Sequence, residues 1–369
     1  VGVVTAPRVL VLGAVLSQGR GGVWRHNREL LPRAARLLSE AGGGLAVLEG
    51  REPPSFELPP EVERLASKVP PRPVLRRALA EGHALRRLLA EREAEGRPFD
   101  LVHTAHLPVP RGAPAPLAIL LHDLRALRLS HTPFSRRLIA REVLGQAARR
   151  ARVLMTVSET MAEELATELD VERASIHVVP NAGDHLDPLP RRVTADAPLL
   201  CIGHLEPRKR PALLVEALAA DPGLPDVHFL GAAKGEEDRR LRELAGERGV
   251  AERLRFLGAV NDGVLRRELA GAACVVLPSE LEGFGIVALE AQVAGAPLAL
   301  SDIPAHREVA PEAVFFGGEG AACARAVREA LARDADGLEA QRCAALERYS
   351  WEDSARRLVE AWRAAVEGA

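Results

Sequence analysis

Two glutamates, Glu282 and Glu290, stand eight residues apart around the turn Gly283-Phe284-Gly285. Before them, Ala273-Cys274-Val275-Val276-Leu277 is short, apolar and β-branched, as a buried parallel strand should be. Residues 286–294 after them have the composition of a helix. Strand, glycine turn and helix in that order aim backbone N–H groups and a helix N-terminus at whatever sits above the strand end, which favours an anion such as phosphate. A spacing of eight residues is a little over two helical turns, so both carboxylates can face one elongated ligand without touching each other. A sugar joined to a nucleotide through a diphosphate has that shape: hydroxyls at one end, ribose hydroxyls at the other, charge between.

The elements that must position these groups alternate along the whole chain. Val9-Leu10-Val11-Leu12-Gly13 breaks into the loop Gly19-Arg20-Gly21-Gly22, and a helical pattern with Leu30, Leu31, Leu37 and Leu38 follows. Further strands are expected at 44–48, 101–102, 117–121, 153–157 and 176–179, with helices between most of them. Residues 51–73 are rich in proline and charge and read as a loop, with a helical turn or two over 61–68. A proline-containing, aperiodic stretch ends at Pro198, where a fresh strand begins at Leu199-Leu200-Cys201-Ile202. Strands at 227–230, 254–257, 274–277, 298–300 and 313–316 follow, the first two of this half leading into helices that begin near Lys209 and Glu236. This alternation predicts an α/β protein of two doubly wound, Rossmann-like domains: 1–185 and 198–350, joined by a linker at 186–197.

The bulk properties agree with that reading. A chain of 369 residues exceeds one core, so two domains is the default. A net charge of −2 gives no case for a nucleic-acid partner. Lysine is scarce beside arginine, which is a compositional bias of the chain. The four cysteines, Cys201, Cys274, Cys323 and Cys343, share no CxxC spacing and fit a reducing cytoplasm. No apolar run approaches the ~20 residues needed to span a bilayer, and no signal peptide is apparent.

The Glu-x7-Glu frame around Gly-Phe-Gly, with Gly295-Ala296-Pro297 and Ser301-Asp302-Ile303-Pro304 after it, resembles the donor site of retaining family-4 glycosyltransferases of the GT-B fold. Gly203-His204-Leu205-Glu206-Pro207-Arg208-Lys209 resembles that family's first phosphate loop. Val157-Ser158-Glu159 and Val179-Pro180-Asn181-Ala182-Gly183 resemble the elements closing its first domain, and Tyr349-Ser350-Trp351 the start of its last helix. The resemblance implies GT-B architecture, two Rossmann-like domains facing across a cleft, with the last helix, 351–369, packing back on the first domain. It also implies a nucleoside-diphosphate sugar as co-substrate, with no further cofactor.

Residue by residue, the resemblance places the diphosphate on Arg208, Lys209 and His204, with the N–H groups of Phe284, Gly285 and Ile286 beside Gly283. The family often has arginine where this chain has His204, so Arg208 and Lys209 carry most of the weight. Glu290 is expected at the ribose, Glu282 at a hydroxyl of the transferred sugar, and the base near Val260. Glu282 by itself is equally explained as a helix-start carboxylate; Glu290, in mid-helix among apolar neighbours, is not. His122 ends an apolar strand, and the resemblance sends it to the donor sugar or the acceptor. Gly21 and Gly22 would let a helix N-terminus approach the acceptor or diphosphate. Arg25 and His26 would reach the acceptor, Trp24 would stack or pack, and His103 and His106 are weaker candidates.

Asp334-Ala335-Asp336 matches an Asp-x-Asp metal pattern but falls in a helical surface stretch, so the expected transfer is metal-independent, with helix dipole and basic side chains replacing Mg²⁺. No nucleophile or acid/base pair is evident, and retention of configuration is implied by the family alone. Residues 125–152 carry eight arginines against the single carboxylate Glu142, with Phe134, Leu138, Ile139, Val143 and Leu144 between them. That composition suits an anionic membrane surface and a lipid-linked acceptor, or simply a solvated arginine-rich face. The expected function is hexose transfer, mannose from GDP-mannose ahead of a UDP-sugar, to a saccharide or lipid-linked acceptor in bacterial surface polysaccharide synthesis. The alternatives are a nucleotide-sugar epimerase of the same architecture and a catalytically degenerate scaffold.

Overall fold

Val9, Leu10, Val11 and Leu12 are all buried, with no alternation between faces. A strand buried on both sides must be covered by helices above and below, and parallel sheets satisfy that requirement. The computed structural model describes residues 6–19, 21–110, 116–129 and 132–367. It has two compact units, Val1–Asn181 together with Trp351–Ala369, and Ala182–Ser350.

The first unit runs β1 (Arg8–Gly13), α1 (Gly22–Glu40), β2 (Gly44–Glu49), β3 (Val62–Leu65), α2 (Val74–Ala94), β4 (Leu101–Thr104), β5 (Leu117–Leu121), α3 (Arg125–Arg128), α4 (Phe134–Arg150), β6 (Val153–Thr156), α5 (Glu159–Leu169) and β7 (Ile176–Val178). Its sheet has the order β3-β2-β1-β4-β5-β6-β7, all parallel.

The second unit runs β8 (Leu199–Ile202), α6 (Ala212–Ala220), β9 (Val227–Leu230), α7 (Glu237–Glu247), β10 (Leu254–Gly258), α8 (Asp262–Gly271), β11 (Cys274–Leu277), α9 (Ile286–Val293), β12 (Leu298–Ser301), α10 (Pro304–Val309), β13 (Val314–Phe316), α11 (Gly320–Leu331) and α12 (Ala335–Arg348). Its order is β10-β9-β8-β11-β12-β13, also parallel throughout. The final helix, α13 (Trp351–Glu367), belongs to the first unit, where it packs on α1, β4, β6 and β7 and buries Trp351 and Trp362 completely.

In both sheets the strand order reverses once, at β1/β4 and at β8/β11. In open α/β sheets the crevice at that switch point, outside the carboxyl ends of the strands, is where ligands bind. The loops after β8 and β11 therefore flank the switch point of the second unit, and these loops carry Arg208, Lys209 and Glu282.

Two local expectations are corrected. Within residues 61–68, Val62–Leu65 form the edge strand β3, not helical turns; the segment has too few apolar positions for a helix, with Val62 buried and Arg64 exposed. The helix after β8 does not begin near Lys209. Pro207–Lys209 is a 3-10 turn, Arg210 takes a left-handed conformation (φ 44°), and α6 starts only at Ala212. Proline at the turn's first position and the left-handed residue after it hold Arg208 and Lys209 on a loop, not on a helix face.

The proline-containing stretch after Asp184 is fastened to the second unit. Arg191 Nη1 donates to Leu269 O at 2.7 Å, Arg192 N to Ala270 O at 2.8 Å, and Arg342 Nη1 pairs with Asp187 Oδ1 at 2.6 Å.

Candidate functional site

The β8 and β11 loops are laced together by backbone and guanidinium bonds. Glu280 N donates to Arg208 O at 2.7 Å, and Arg208 Nη1 to Leu281 O at 3.1 Å. Arg210 bonds Pro278 O at 2.7 Å and Ser279 O at 3.2 Å. On this frame Glu282 forms an ion pair with Lys209, accepts from Ser279 Oγ at 2.7 Å, and lies 3.6 Å from Arg208 Nη1. Burial pushes the Glu282 carboxyl up, but the charges of Lys209 and Arg208 outweigh it and hold the group at about 2. Arg208 Nε is buried without a partner among the described residues, an orphan donor at the heart of the cluster.

Glu282 sits in the loop, one turn before α9, and Glu290 is buried on the helix itself. The two carboxylates thus lie one before and one within α9, as the strand–turn–helix order predicts. Gly285 caps α9 with φ 88°, and a Cβ there would lie 3.3 Å from the His306 ring. Phe284 is buried edge-on against Tyr349, at 5.4 Å between centroids, which anchors the turn from below. The N–H groups of the Gly285 turn therefore stand at a fixed helix start. Beneath it, His306 Nδ1 donates to Ser301 O at 2.9 Å, and Ser301 Oγ donates to Ser279 O at 2.6 Å. Glu290 is paired with His185, Nε2 to Oε1 at 3.4 Å.

His204 follows β8 and is half-buried. Burial and then the charge of Lys234 lower its pKa, so it is neutral at physiological pH. Val260 is half-exposed after β10, next to Asn261, whose side chain accepts from Val264 N at 2.9 Å and caps α8. Asp334 caps α12 in the same way, accepting from Gly337 N at 2.7 Å, which gives the first aspartate of the Asp-x-Asp pattern a structural part. Among the described residues no group of three or more His, Cys, Asp or Glu could hold a metal ion.

In the first unit, Gly21 and Gly22 form the exposed start of α1; Arg20 lies outside the described residues. His122 directly follows β5 and is half-buried, with its ring edge-on to His26 at 4.9 Å. Burial, then the neighbouring His103, pushes its pKa down to about 3. His26 is buried, with Nδ1 3.1 Å from Asn181 Oδ1. His103 accepts from Trp362 Nε1 at 3.2 Å, and His106 pairs with buried Glu81 at 2.9 Å. Trp24 donates to Ser55 Oγ at 2.8 Å and carries Arg25 and Arg28 over its ring.

The structure therefore brings Arg208, Lys209, His204 and Glu282 together, sets Glu290 apart with His185, and gathers His122, His26 and His103 in the first unit. Sequence reasoning assigned no part to Glu206, Lys234, Ser279, His185 or His306. The one signal for Lys234 was its type, since it is one of only three lysines.

Two parallel sheets of this order, each with one switch point, define a GT-B protein. Residues 191–357 match the family described as Glycosyl transferases group 1, and residues 20–185 match Glycosyltransferase Family 4. A D-inositol 3-phosphate glycosyltransferase of Geodermatophilus obscurus is 39% identical over 184 residues, 46% of this chain and 40% of that one. A phosphatidyl-myo-inositol mannosyltransferase of Mycolicibacterium smegmatis is 32% identical over 310 residues, 78% of this chain and 74% of that one. The chain matches from 40% to 74% of the length of these relatives. The structure of HepE from Anabaena, in complex with UDP and glucose, superposes with a TM-score of 0.69 at 19% identity, covering 96% of this chain and 99% of that one. The chain belongs to the family-4, group 1 glycosyltransferases.

Proposed function

We propose that the protein is a retaining, metal-independent hexosyltransferase that moves a hexose from a nucleoside-diphosphate sugar to a saccharide or lipid-linked acceptor. The observation that carries this reading is the Arg208–Lys209–Glu282 cluster at the β8/β11 switch point, beside the N-terminus of α9. Arg208, Lys209 and the N–H groups of Phe284, Gly285 and Ile286 hold the diphosphate and stabilise the charge it gains on leaving. Glu282 accepts from a hydroxyl of the transferred sugar and Glu290 from the ribose. The base lies near Val260.

In the transfer, the bond between the anomeric carbon and the diphosphate oxygen breaks with its electron pair going to the diphosphate. The acceptor oxygen bonds to that carbon from the same face, and the acceptor's proton passes to the leaving diphosphate oxygen. His122, neutral through its depressed pKa, orients sugar or acceptor hydroxyls without adding charge. Gly21 and Gly22 leave the start of α1 open to the acceptor. GDP-mannose is the leading donor, supported by the mannosyltransferase relative, with UDP-sugars second.

The face of α4 supports a lipid-linked acceptor at the inner surface of the cytoplasmic membrane. Phe134, Leu138 and Ile139 are exposed, and Arg136, Arg137 and Arg141 lie between and beside them. Apolar side chains among arginines suit the interface of an anionic bilayer. No helix among the described residues is long and apolar enough to cross a membrane. Sedimentation with anionic vesicles at low salt is the expected result; no sedimentation removes the membrane from the reading.

The deciding experiment is thermal shift with GDP, UDP, ADP and dTDP, each with and without Mg²⁺, followed by transfer assays with the sugar form of the nucleotide that binds. One nucleotide should raise the melting temperature by mass action, and its sugar should be consumed equally in EDTA. Loss of transfer in EDTA, restored by Mg²⁺, overturns metal independence. A trapped glycosyl-enzyme overturns the front-face route. No shift with any nucleotide leaves a scaffold.

A further inference from the structure

We infer that Lys234 is a third cation for the donor's diphosphate, acting beside Arg208 and Lys209, with Glu206 as the carboxylate that holds it in position. This rests on the glycosyltransferase reading above and deepens it.

Composition supplies the first argument. Of 49 basic residues only three, Lys68, Lys209 and Lys234, are lysines. Two of these three lie in one side-chain cluster, although they come from different strand-end loops. Arginine serves elsewhere in the chain, while lysine offers a compact point charge that rotates to meet a phosphate oxygen.

Backbone placement supplies the second. Lys234 follows β9, the neighbour of β8, and Lys234 N donates to Leu205 O at 2.9 Å while Leu205 N donates to Ala232 O at 3.1 Å. The loop that carries Lys234 is thereby tied to the loop that carries His204 and Glu206. Lys234 Nζ lies 2.7 Å from Glu206 Oε2, and Arg208 Nη2 lies 2.7 Å from Glu206 Oε1. One carboxylate thus spaces two cations. Glu206 is 13% exposed and Lys234 45%, so the ammonium keeps a free side toward solvent.

Charge balance decides the matter. Arg208, Lys209 and Lys234 face Glu206 and Glu282, which leaves one positive charge; Arg210 and Glu280 offset each other beside them. Without Lys234 the cluster is neutral, because His204 contributes no charge at physiological pH. A neutral cluster gives a multiply charged diphosphate little reason to leave water.

The test is titration calorimetry of wild type, Lys234→Ala, Lys234→Arg and the double variant His204→Arg/Lys234→Ala with GDP, UDP, ADP and dTDP. Lys234→Ala should weaken the nucleotide that wild type binds by about tenfold, with an unchanged melting temperature in the absence of nucleotide. Lys234→Arg should stay near wild type, and His204→Arg should restore most of the loss by returning a cation to the adjoining loop. Unchanged affinity in Lys234→Ala overturns the inference alone. A loss that neither arginine repairs also overturns it, because Lys234 would then act only by holding Glu206. Failure of wild type to bind any of the four overturns this inference and the glycosyltransferase reading together, and is visible before any variant is compared.

Discussion

His185 Nε2 lies 3.4 Å from Glu290 Oε1, and both side chains are less than 10% exposed. A carboxylate buried in mid-helix among Ala288, Leu289 and Ala291 is costly unless its oxygens are engaged. His185, on the 3-10 turn Asp184–Leu186, approaches one of them at ion-pair distance. If Glu290 is the ribose acceptor, Glu290→Gln should lower nucleotide affinity by about tenfold in calorimetry. His185→Gln, which keeps a polar group beside the carboxylate, should retain more of that affinity than His185→Leu. Equal affinity in Glu290→Gln and wild type would remove Glu290 from the site.

Glu282 holds the Lys209 ammonium, so a diphosphate bound as proposed would compete with it for that charge. Glu282→Gln removes the competing charge, so nucleoside-diphosphate affinity should hold or rise while transfer falls about a hundredfold. Lys209→Ala should lose both. Calorimetry and initial rates measured on the same preparations separate the two variants. A parallel loss of binding and rate in Glu282→Gln would assign Glu282 to structure.

Stability of the first unit should fall with acid in a window set by its histidines. Burial, followed by the charges of His26 and His106, lowers His103 from 6.5 to about 3. A histidine held neutral in the folded state binds its proton more readily when unfolded. Its contribution is complete above 6.5 and is lost progressively as pH falls toward about 3. From His103 alone the loss by pH 5 is about 2 kcal/mol. Thermal melts at pH 7 and pH 5 should therefore diverge less in His103→Asn, which can still accept from Trp362. An identical pH slope in the variant would show that His103 is not buried neutral.

Gly231→Ala should be among the most damaging small substitutions. Gly231 has φ 148°, and a Cβ there would meet Gly203 O at 1.9 Å. The clash is with backbone and cannot be relieved by a side-chain rotation, so a loss of about 3 kcal/mol or more is expected in chemical denaturation. The same collision would separate the loops that carry Lys234 and His204, so nucleotide binding should fall with it.

Much of the architecture was legible because it depends on neighbours in the chain. The run Cys274–Leu277, the glycine turn and the apolar helix Ile286–Val293 announce themselves within twenty residues. Edge strand β3 was not legible, because four residues with one inward side chain carry too little periodicity to separate a strand from a turn. The start of α6 was misplaced for a similar reason. Pro207-Arg208-Lys209 has good helix formers after a proline, and only the left-handed Arg210 ends the turn there.

By itself, the sequence determined that this is an α/β chain of strand–turn–helix units with a Glu-x7-Glu frame and a basic loop, since periodicity and turn chemistry are local. Tertiary structure alone decided which charges meet. Lys209 and Glu282 are 73 residues apart, Lys234 and Glu206 28, and Trp362 and His103 259. The parallel sheets place successive strand ends side by side, so loops distant in sequence become neighbours at the switch point. Beside it, on the loop after β9, Lys234 changed from an isolated cation into a member of the cluster, and burial together with that lysine lowers the pKa of His204.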